Sequence, residues 1–451
     1  QRSDWSVREL SDEQILYAAR DVSVLHPLRE RLKTQLIEED LVKVTKIEVF
    51  CTPALAQMEL SGIKISSPRW KEIIRNLEAE KEELEEKLLP YFPAAQMDLF
   101  GDVKPGLNLN SPAQVKSVLE KFAGEELADA SEKTLKKLAA QIPMAAWICE
   151  YRSCDKLLST YGERFLQAIH SKTGRLHSDY FQIAAPSGRM ACSQPNIQQI
   201  PKSHGFRHAV VPEEGGHYVI ADYSQIELRI ASAIADETVM IDAYQRGEDL
   251  HRLTASRVSG KPLEQVTPAM RQAAKAINFG FVFGMGSERF KSYSEEEYGI
   301  VMSSENAEAY RQKFFVSYPN LKRWHKSAPE NANRDRVIRT LCGRKVVIPE
   351  GEEWFSGALN IPVQGSAADG IKLAMGRLHR SKLLNSLGGK LVAMIHDELI
   401  FELPSHLKNE ELLQAEEVIS QEMISAMSEV VSQKVPIEVD TQIGDSWQDK
   451  K

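Results

Sequence analysis

Between Lys390 and Leu403 the chain reads Lys390-Leu-Val-Ala-Met-Ile-His396-Asp397-Glu398-Leu-Ile-Phe-Glu-Leu403, two strongly apolar runs parted by a three-residue polar break. Short runs of this composition read as strands, and so short a break reads as a tight hairpin. A polar turn is common in hairpins and by itself explains Asp397 without any function. Here, however, the flanking runs are almost continuously apolar, so the tip sits close to a buried sheet. A second apolar run, Tyr218-Val-Ile-Ala, ends in the same way at Asp222. A carboxylate at the end of a buried strand is costly unless something pairs with it. Two carboxylates from separate strand ends suit a hard, oxygen-preferring divalent ion. Two such ions, ~3.5–4 Å apart, can activate an attacking hydroxyl and neutralise a leaving phosphate.

The rest of the chain places these strands. Its 451 residues exceed one hydrophobic core, so two to four domains or subdomains are expected. Residues 1 to 46 read as helical and charged, with Ile15, Leu16, Val22, Leu25 and Leu32 at helical spacing between Ser11 and Gln35. Residues 69 to 89 read as a helix whose Glu and Lys alternate from Glu78 to Lys87. A solvated face laced with i,i+4 pairs explains that run better than a nucleic-acid contact. Residues 90 to 110 read as loop, Ser111 and Pro112 cap and open another helix, and 131 to 170 are again helical. From about residue 175 strands alternate with helices: Arg175 to Ile183, His217 to Asp222, Lys345 to Ile348, Leu391 to Ile395, Leu399 to Leu403 and Val435 to Val439. A helical block from about 250 to 335 interrupts them. This is a sheet domain with a helical insertion, preceded by a helical domain.

Composition narrows the partners. The formal net charge of −8 means that a nucleic acid has to be met by a local basic surface. The five cysteines, at 51, 149, 154, 192 and 342, form no C-x-x-C pair, so neither a disulfide framework nor a zinc site is expected, and a reducing, cytosol-like compartment fits. No apolar run is long enough to cross a bilayer. The chain starts at Gln1 without a signal-peptide pattern and reads as a fragment of something longer.

Three further segments carry candidate chemistry. After Asp222, Ser224 and Glu227 form an S-x-x-E pattern, which read alone is a helix capping box. The helix Thr267-Pro-Ala-Met-Arg271-Gln-Ala-Ala-Lys275-Ala-Ile-Asn-Phe279-Gly-Phe-Val-Phe283-Gly is capped by Thr267 and opened by Pro268. Its Arg271, Lys275, Phe279 and Phe283 recur every four residues on one face. Cations for phosphates and rings for sugar and base suit a nucleotide, whereas a basic solvent-facing turn followed by core aromatics suits it equally. Ser187-Gly-Arg189-Met-Ala-Cys-Ser-Gln-Pro195-Asn196-Ile-Gln198 reads as a polar loop, and Asn360-Ile-Pro-Val-Gln364-Gly-Ser-Ala-Ala-Asp369 as an amide-rich helix start. The amides of the latter either read base edges in a groove or cap the helix.

In order and spacing these segments resemble family A DNA polymerases, the bacterial DNA polymerase I type, over roughly residues 48 to 447. Asp222 to Arg229 resembles motif A, Arg271 to Gly284 motif B and His396-Asp397-Glu398 motif C. Asp249-Leu-His251-Arg252 and the thumb-like Glu150-Tyr-Arg152-Ser-Cys-Asp-Lys156-Leu-Leu-Ser-Thr-Tyr161 match as well. The resemblance implies an α+β right hand: a helical thumb (48–180, with connecting helices), an antiparallel-sheet palm (181–250 and 351–451) and helical fingers (251–350) inserted in it. It implies template-directed addition of deoxynucleoside triphosphates to a primer-template by a monomer, with two Mg2+ ions that Mn2+ can replace. Asp222, Tyr223 and Asp397 hold the metals, with Glu398 and Lys275 also catalytic. Arg271, Lys275, Phe279, Phe283, His251 and Gln225 bind the nucleotide, and Glu227 is the gate against a ribose 2′-hydroxyl. Arg152, Lys156, Arg189, Asn196, Gln198, Arg229, Asn360, Gln364 and His396 touch DNA. A cytoplasmic or nucleoid-associated location follows, with viral and organellar sources open.

Asp4-Trp-Ser-Val-Arg-Glu-Leu-Ser with Tyr17-Ala-Ala-Arg-Asp21 resembles the tail of a DEDDy 3′–5′ exonuclease, assigned to residues 1–47. Tyr17 and Asp21 share a helix face at i,i+4. The other acidic motifs of that site are missing, so no proofreading is expected. Three positions depart from the polymerase pattern. Phe283 stands where most members carry a Tyr whose hydroxyl bonds the gate glutamate. Ser356 stands at a DNA-contacting arginine, and Lys202-Ser203 replaces another basic pattern. A nuclease and a non-catalytic primer-template binder are the rival classes. The first needs carboxylates that this chain lacks, and intact Asp222 and Asp397 argue against the second.

Overall fold

A computed structural model of the protein describes residues 3–92, 96–97, 103–104 and 108–449. The expected loop over 90–110 lies partly outside the described residues. Within it Gln96–Met97 and Val103–Lys104 pair as a short antiparallel ladder.

The helices that matter here are, in chain order, α1 (Asp12–Ser23), α2 (Leu25–Glu38), α3 (Val42–Ser61), α4 (Ser67–Leu88), α5 (Pro143–Tyr161), α6 (Ile226–Ala235), α7 (Leu250–Ser259), α8 (Pro268–Val282), α9 (Ser304–Ser317), α10 (Pro319–Asp335), α11 (Ser356–His379) and α12 (Asn409–Val430). The strands of the main sheet are β1 (His217–Tyr223), β2 (Lys390–Ile395), β3 (Glu398–Leu403) and β4 (Val439–Gly444). They lie in the order β2-β3-β1-β4, every pair antiparallel.

Both faces of this sheet are covered, which is why its central strands are apolar almost throughout. Val219, Ala221, Leu399, Phe401 and Leu403 enter one core, with α3, α6, α11 and α12. Tyr218, Ile220, Val392, Ile395 and Ile400 enter the other, with α4 and α5. Side chains alternate along a strand, so these two sets are successive positions of the same runs. Beneath the second core Trp70 stacks on Phe165 at 4.7 Å, and its indole N–H donates to the Tyr161 carbonyl at 2.8 Å.

The charged helix α4 behaves as a solvated face: Lys87 pairs with Glu83 one turn away, and Lys81 ties the helix to Asp155 of α5. The apolar spacing between Ser11 and Gln35 belongs to two helices rather than one, broken at Val24, and neither buries a residue. Val435 to Val439 is not a strand; pairing begins only at Val439, after Pro436. All five cysteines are unbridged. No described helix is long and apolar enough to cross a membrane.

Candidate active site

The hairpin between β2 and β3 is tighter than three residues. Ile395 pairs with Glu398, which leaves a two-residue turn of His396 and Asp397 with His396 at φ 58°. Glu398 is therefore a strand residue, directly across from Asp222 of β1. Across the other edge of β1 the partner of Asp222 is Asp440. Residues directly opposite in antiparallel strands point to the same face, so three carboxylates share one face at one end of the sheet. The Asp397 carbonyl accepts the Tyr223 N–H at 3.3 Å, bringing the turn beside the end of β1.

Two residues that the sequence did not single out attend these carboxylates. The Trp447 indole N–H donates to Glu398 at 2.6 Å. Arg207 lies over the same indole, 4.0 Å from its centroid. Burial pushes the Arg207 guanidinium below its usual range, and the carboxylates of Glu398 and Asp222 oppose that shift. Partial burial of its ring, with Arg189 and Arg207 adding to it, likewise pulls His396 down although the residue is open to solvent on one side, against the pull of Glu398. A cavity of about 250 Å3 opens beside the turn, lined among others by Arg189, Tyr223, Glu227, Lys372, His396 and Asp397. Among the described residues no three His, Cys, Asp or Glu side chains are grouped to hold a metal by themselves. Two carboxylates on adjacent strand ends fit Mg2+, which commonly takes one or two from protein and its remaining oxygens from water and substrate phosphates.

Motif A continues differently from the capping-box reading. Gln225, in the left-handed region at φ 52°, is the N-cap of α6 and makes no side-chain cap. The box fails because the helix starts at Ile226, one residue later than Ser224 requires. Glu227 forms an ion pair with Arg189 instead. Gln225 Oε1 accepts from the Tyr244 hydroxyl at 3.4 Å. Tyr223 is buried, its hydroxyl donating to the Met423 carbonyl at 2.7 Å.

The face of α8 is placed as its spacing predicts. Thr267 caps the helix. Lys275 is exposed, while Arg271, Phe279 and Phe283 are half-buried. Arg271 pairs with Asp249, the N-cap of α7, at 2.6 Å. On α7, His251 is buried, its Nδ1 2.9 Å from the Asn278 amide of α8, and its ring lies 6.1 Å from Phe279. Burial brings His251 down to about 4, with Asp249 opposing. The helix packs on α6, which carries Glu227.

The expected DNA-contacting residues divide. Lys156 and His396 are exposed, and Asn360 and Gln364 are half-buried, one turn apart on α11. That helix begins at Ser356, so Asn360 to Asp369 is its interior and not its start. Arg229 is not on a surface at all. It is 2 % exposed, bonded to the Ser224 and Pro436 carbonyls, paired with Glu438 at 2.6 Å and stacked on Tyr244. It holds motif A to the chain before β4. Arg152 donates to the carbonyls of Leu109 and Ala130 at 2.9 and 2.7 Å, and so ties loops together. Asn196 caps a short helical turn, and buried Gln198 donates to the Met394 carbonyl at 3.2 Å. Gly188, at φ 85°, lies so close to Arg344 that a Cβ there would collide with the guanidinium; only glycine lets the Arg189 loop rest on that side chain.

At the N-terminus Tyr17 and Asp21 stand on α1, with Trp5 6.1 Å from the Tyr17 ring.

Known proteins agree with this architecture. The structure is similar to the POL domain of Pol1 from M. smegmatis, solved in complex with DNA primer-template and dNTP. The TM-score is 0.79 and the identity 26 %, over 94 % of this chain and 74 % of that one. The fold is thus that of an α+β right-hand polymerase. The chain itself belongs to DNA polymerase family A, a family of DNA-directed DNA polymerases, whose model matches residues 74–449; a 3′–5′ exonuclease model matches residues 1–37. DNA polymerase I of Aquifex aeolicus is 30 % identical, over 99 % of this chain and 78 % of that protein. The thermostable DNA polymerase I of Thermus thermophilus is 33 % identical over 98 % of this chain, which spans 52 % of its length.

Proposed function

We propose that this chain extends the 3′ end of a DNA primer on a template, using Mg2+ held by Asp222 and Asp397. The observation that carries the reading is the end of the sheet: the strand end at Asp222 and the turn at Asp397 lie side by side, with Glu398 in register with Asp222. Bound there, the metal ions supply charge neutralisation at the phosphates and activation of the primer hydroxyl. The chain's own residues do the rest by position and charge. Lys275 and Arg271 hold the triphosphate, the buried, neutral His251 supports Phe279 behind the sugar, and Glu227 occupies the place of a 2′-hydroxyl. Lys156, Arg189, Asn360, Gln364 and His396 hold the duplex. The primer hydroxyl then attacks the α-phosphate in line, and pyrophosphate leaves.

The 451 residues are also read as unable to proofread. What supports this is that the 3′–5′ exonuclease model matches only residues 1–37 of this chain, where Tyr17 and Asp21 stand on α1. Release of nucleotides from a mismatched 3′ end would refute it.

The test is extension of a labelled primer-template with Mg2+ and four deoxynucleotides, beside Asp397→Ala. Extension is expected to fall by at least about 10³-fold in the variant, with primer-template binding kept. Tight binding without extension by the unaltered chain would turn the reading to a non-catalytic DNA binder.

A further inference from the structure

Register puts Glu398 across from Asp222 on one side, with Asp440 across from Asp222 on the other. It places only the Cα of Glu398. The carboxylate hangs on a flexible side chain that staggered rotamers alone can send in several directions. Here it is held. Glu398 is 5 % exposed, and its Oε1 accepts the indole N–H of Trp447 at 2.6 Å. Such a bond to an ionised acceptor is both stronger and more directional than a neutral one.

The donor is itself fixed from several sides. Trp447 is 1 % exposed, in the core that also takes Ile220, Ile395 and Ile400. Its main-chain N–H donates to the Val210 carbonyl at 3.0 Å. The Arg207 guanidinium lies 4.0 Å from the indole centroid, and Arg207 Nε donates to the Ile200 carbonyl at 3.3 Å. Next to Trp447, the Oγ of buried Ser446 is 3.4 Å from His208 Nδ1. The segment that follows β4 is thus fastened to the segment that precedes β1, and the ring cannot swing away.

A tryptophan that only fills a core needs some acceptor for its N–H, and a carbonyl suffices. Trp70 is satisfied in that way by Tyr161. Trp447 spends its single donor on the carboxylate in register with Asp222 instead. We propose that Trp447 is a positioning residue for nucleotide addition: its N–H fixes the Glu398 carboxylate beside Asp222, and Arg207 keeps the indole in the orientation that does so. The inference rests on the polymerase reading above, and Trp447 acts only through Glu398.

The experiment is single-turnover addition of one deoxynucleotide to a primer-template with Mg2+. It compares the unaltered chain, Trp447→Phe, Glu398→Ala and the double variant. Trp447→Phe keeps a ring for the core and for Arg207 and removes the N–H. Its maximal rate is expected to fall roughly 10- to 100-fold, with the apparent affinity for deoxynucleotide unchanged. Added to Glu398→Ala, it should cost less than about twofold more, because the carboxylate it serves is gone. An unchanged rate, or two losses that multiply as they would for a merely packed ring, overturns the proposal. Denaturant unfolding of the same variants reports the contact apart from catalysis. The two substitutions should be coupled by about tenfold in the unfolding constant, and independent effects there also overturn it.

If Trp447→Phe does not fold, Arg207→Met repeats the cycle with the N–H left in place. Its loss should be smaller, roughly threefold, and should vanish beside Glu398→Ala; a loss that persists there overturns the proposal. Failure of the unaltered chain to extend the primer sinks the polymerase reading and this role with it, while the unfolding cycle still reports the contact.

Discussion

The palm and the fingers build their halves of the site on opposite terms. The carboxylates stand on a four-stranded sheet covered on both faces. Beside them a buried charge cluster locks α3 to α11: Lys372 and Arg344 both pair with Glu48, and Arg344 and Thr340 both bond Asp369. Burial drags Lys372 down and Asp369 up, so each charge there depends on its partners to stay ionised. The fingers instead show a half-exposed helix face, tied by the Arg271–Asp249 pair and the contact between Asn278 and His251. Charge that must keep its geometry sits in the core, where removing one partner is expensive. Charge proposed to meet an incoming nucleotide sits where few contacts resist movement.

Stability separates the two halves most sharply. Lys372→Met is expected to cost about 3 kcal/mol, because it removes one of the two cations of a buried cluster and leaves Arg344 alone to serve both Glu48 and Asp369. Arg271→Ala breaks a pair whose side chains are 43 % and 31 % exposed, and should cost less than about 1 kcal/mol. Denaturant unfolding of both variants checks this, and equal losses would break the contrast.

Acid should loosen the fingers in particular. Burial brings His251 and His325 down from 6.5 to about 4, so the folded fingers resist protonation that the unfolded chain accepts. The unfolded state binds more protons between those values. The stabilisation is therefore complete above pH 6.5 and is lost as pH falls toward 4, by ~1.4 kcal/mol per unit for each histidine. Amide-exchange protection of α7, α8 and α10 should fall over that window. Flat protection there would show that both rings find a charge partner on protonation.

Lys275→Ala tests the exposed face itself. A charge-assisted contact to phosphate is worth ~1.5–3 kcal/mol, so the KM for deoxynucleotide should rise roughly 10- to 100-fold with primer-template affinity unchanged. A loss confined to DNA affinity would move Lys275 out of the nucleotide site.

What was legible in the sequence follows the same division. The hairpin at Asp397, the strand end at Asp222 and the face of α8 are local patterns: apolar runs with polar ends, and a repeat of four. The helix cap at Thr267 is equally local. Partnerships between distant segments left no such trace. Arg229 looked like a surface cation because its acceptor, the Pro436 carbonyl, is 207 residues away. Asp440 faces Asp222 only through the register of β4. Trp447 and Arg207 meet Glu398 and its surroundings from the far end of the chain and from a short helical segment before β1. Ser224 and Glu227 matched a local pattern that the backbone overruled, since Gln225 in the left-handed region delays the helix by one residue.

The smallest effect concerns the place where the two halves touch. Glu227, on the palm side, is held by Arg189. Phe283, the half-buried C-cap of α8, offers it no donor. Phe283→Tyr adds one hydroxyl on the fingers side and leaves the ring unchanged. A hydrogen bond gained this way contributes ~0.5–1.5 kcal/mol net. If it holds Glu227 against the sugar, the ribonucleotide-to-deoxynucleotide ratio of kcat/KM should fall by roughly 2- to 10-fold. The effect should appear mainly in the ribonucleotide term, because a deoxyribose leaves the 2′ position empty. An unchanged ratio would mean that Arg189 alone sets the gate, so that sugar selection belongs to the rigid half of the site; a ratio that falls would divide it between the two.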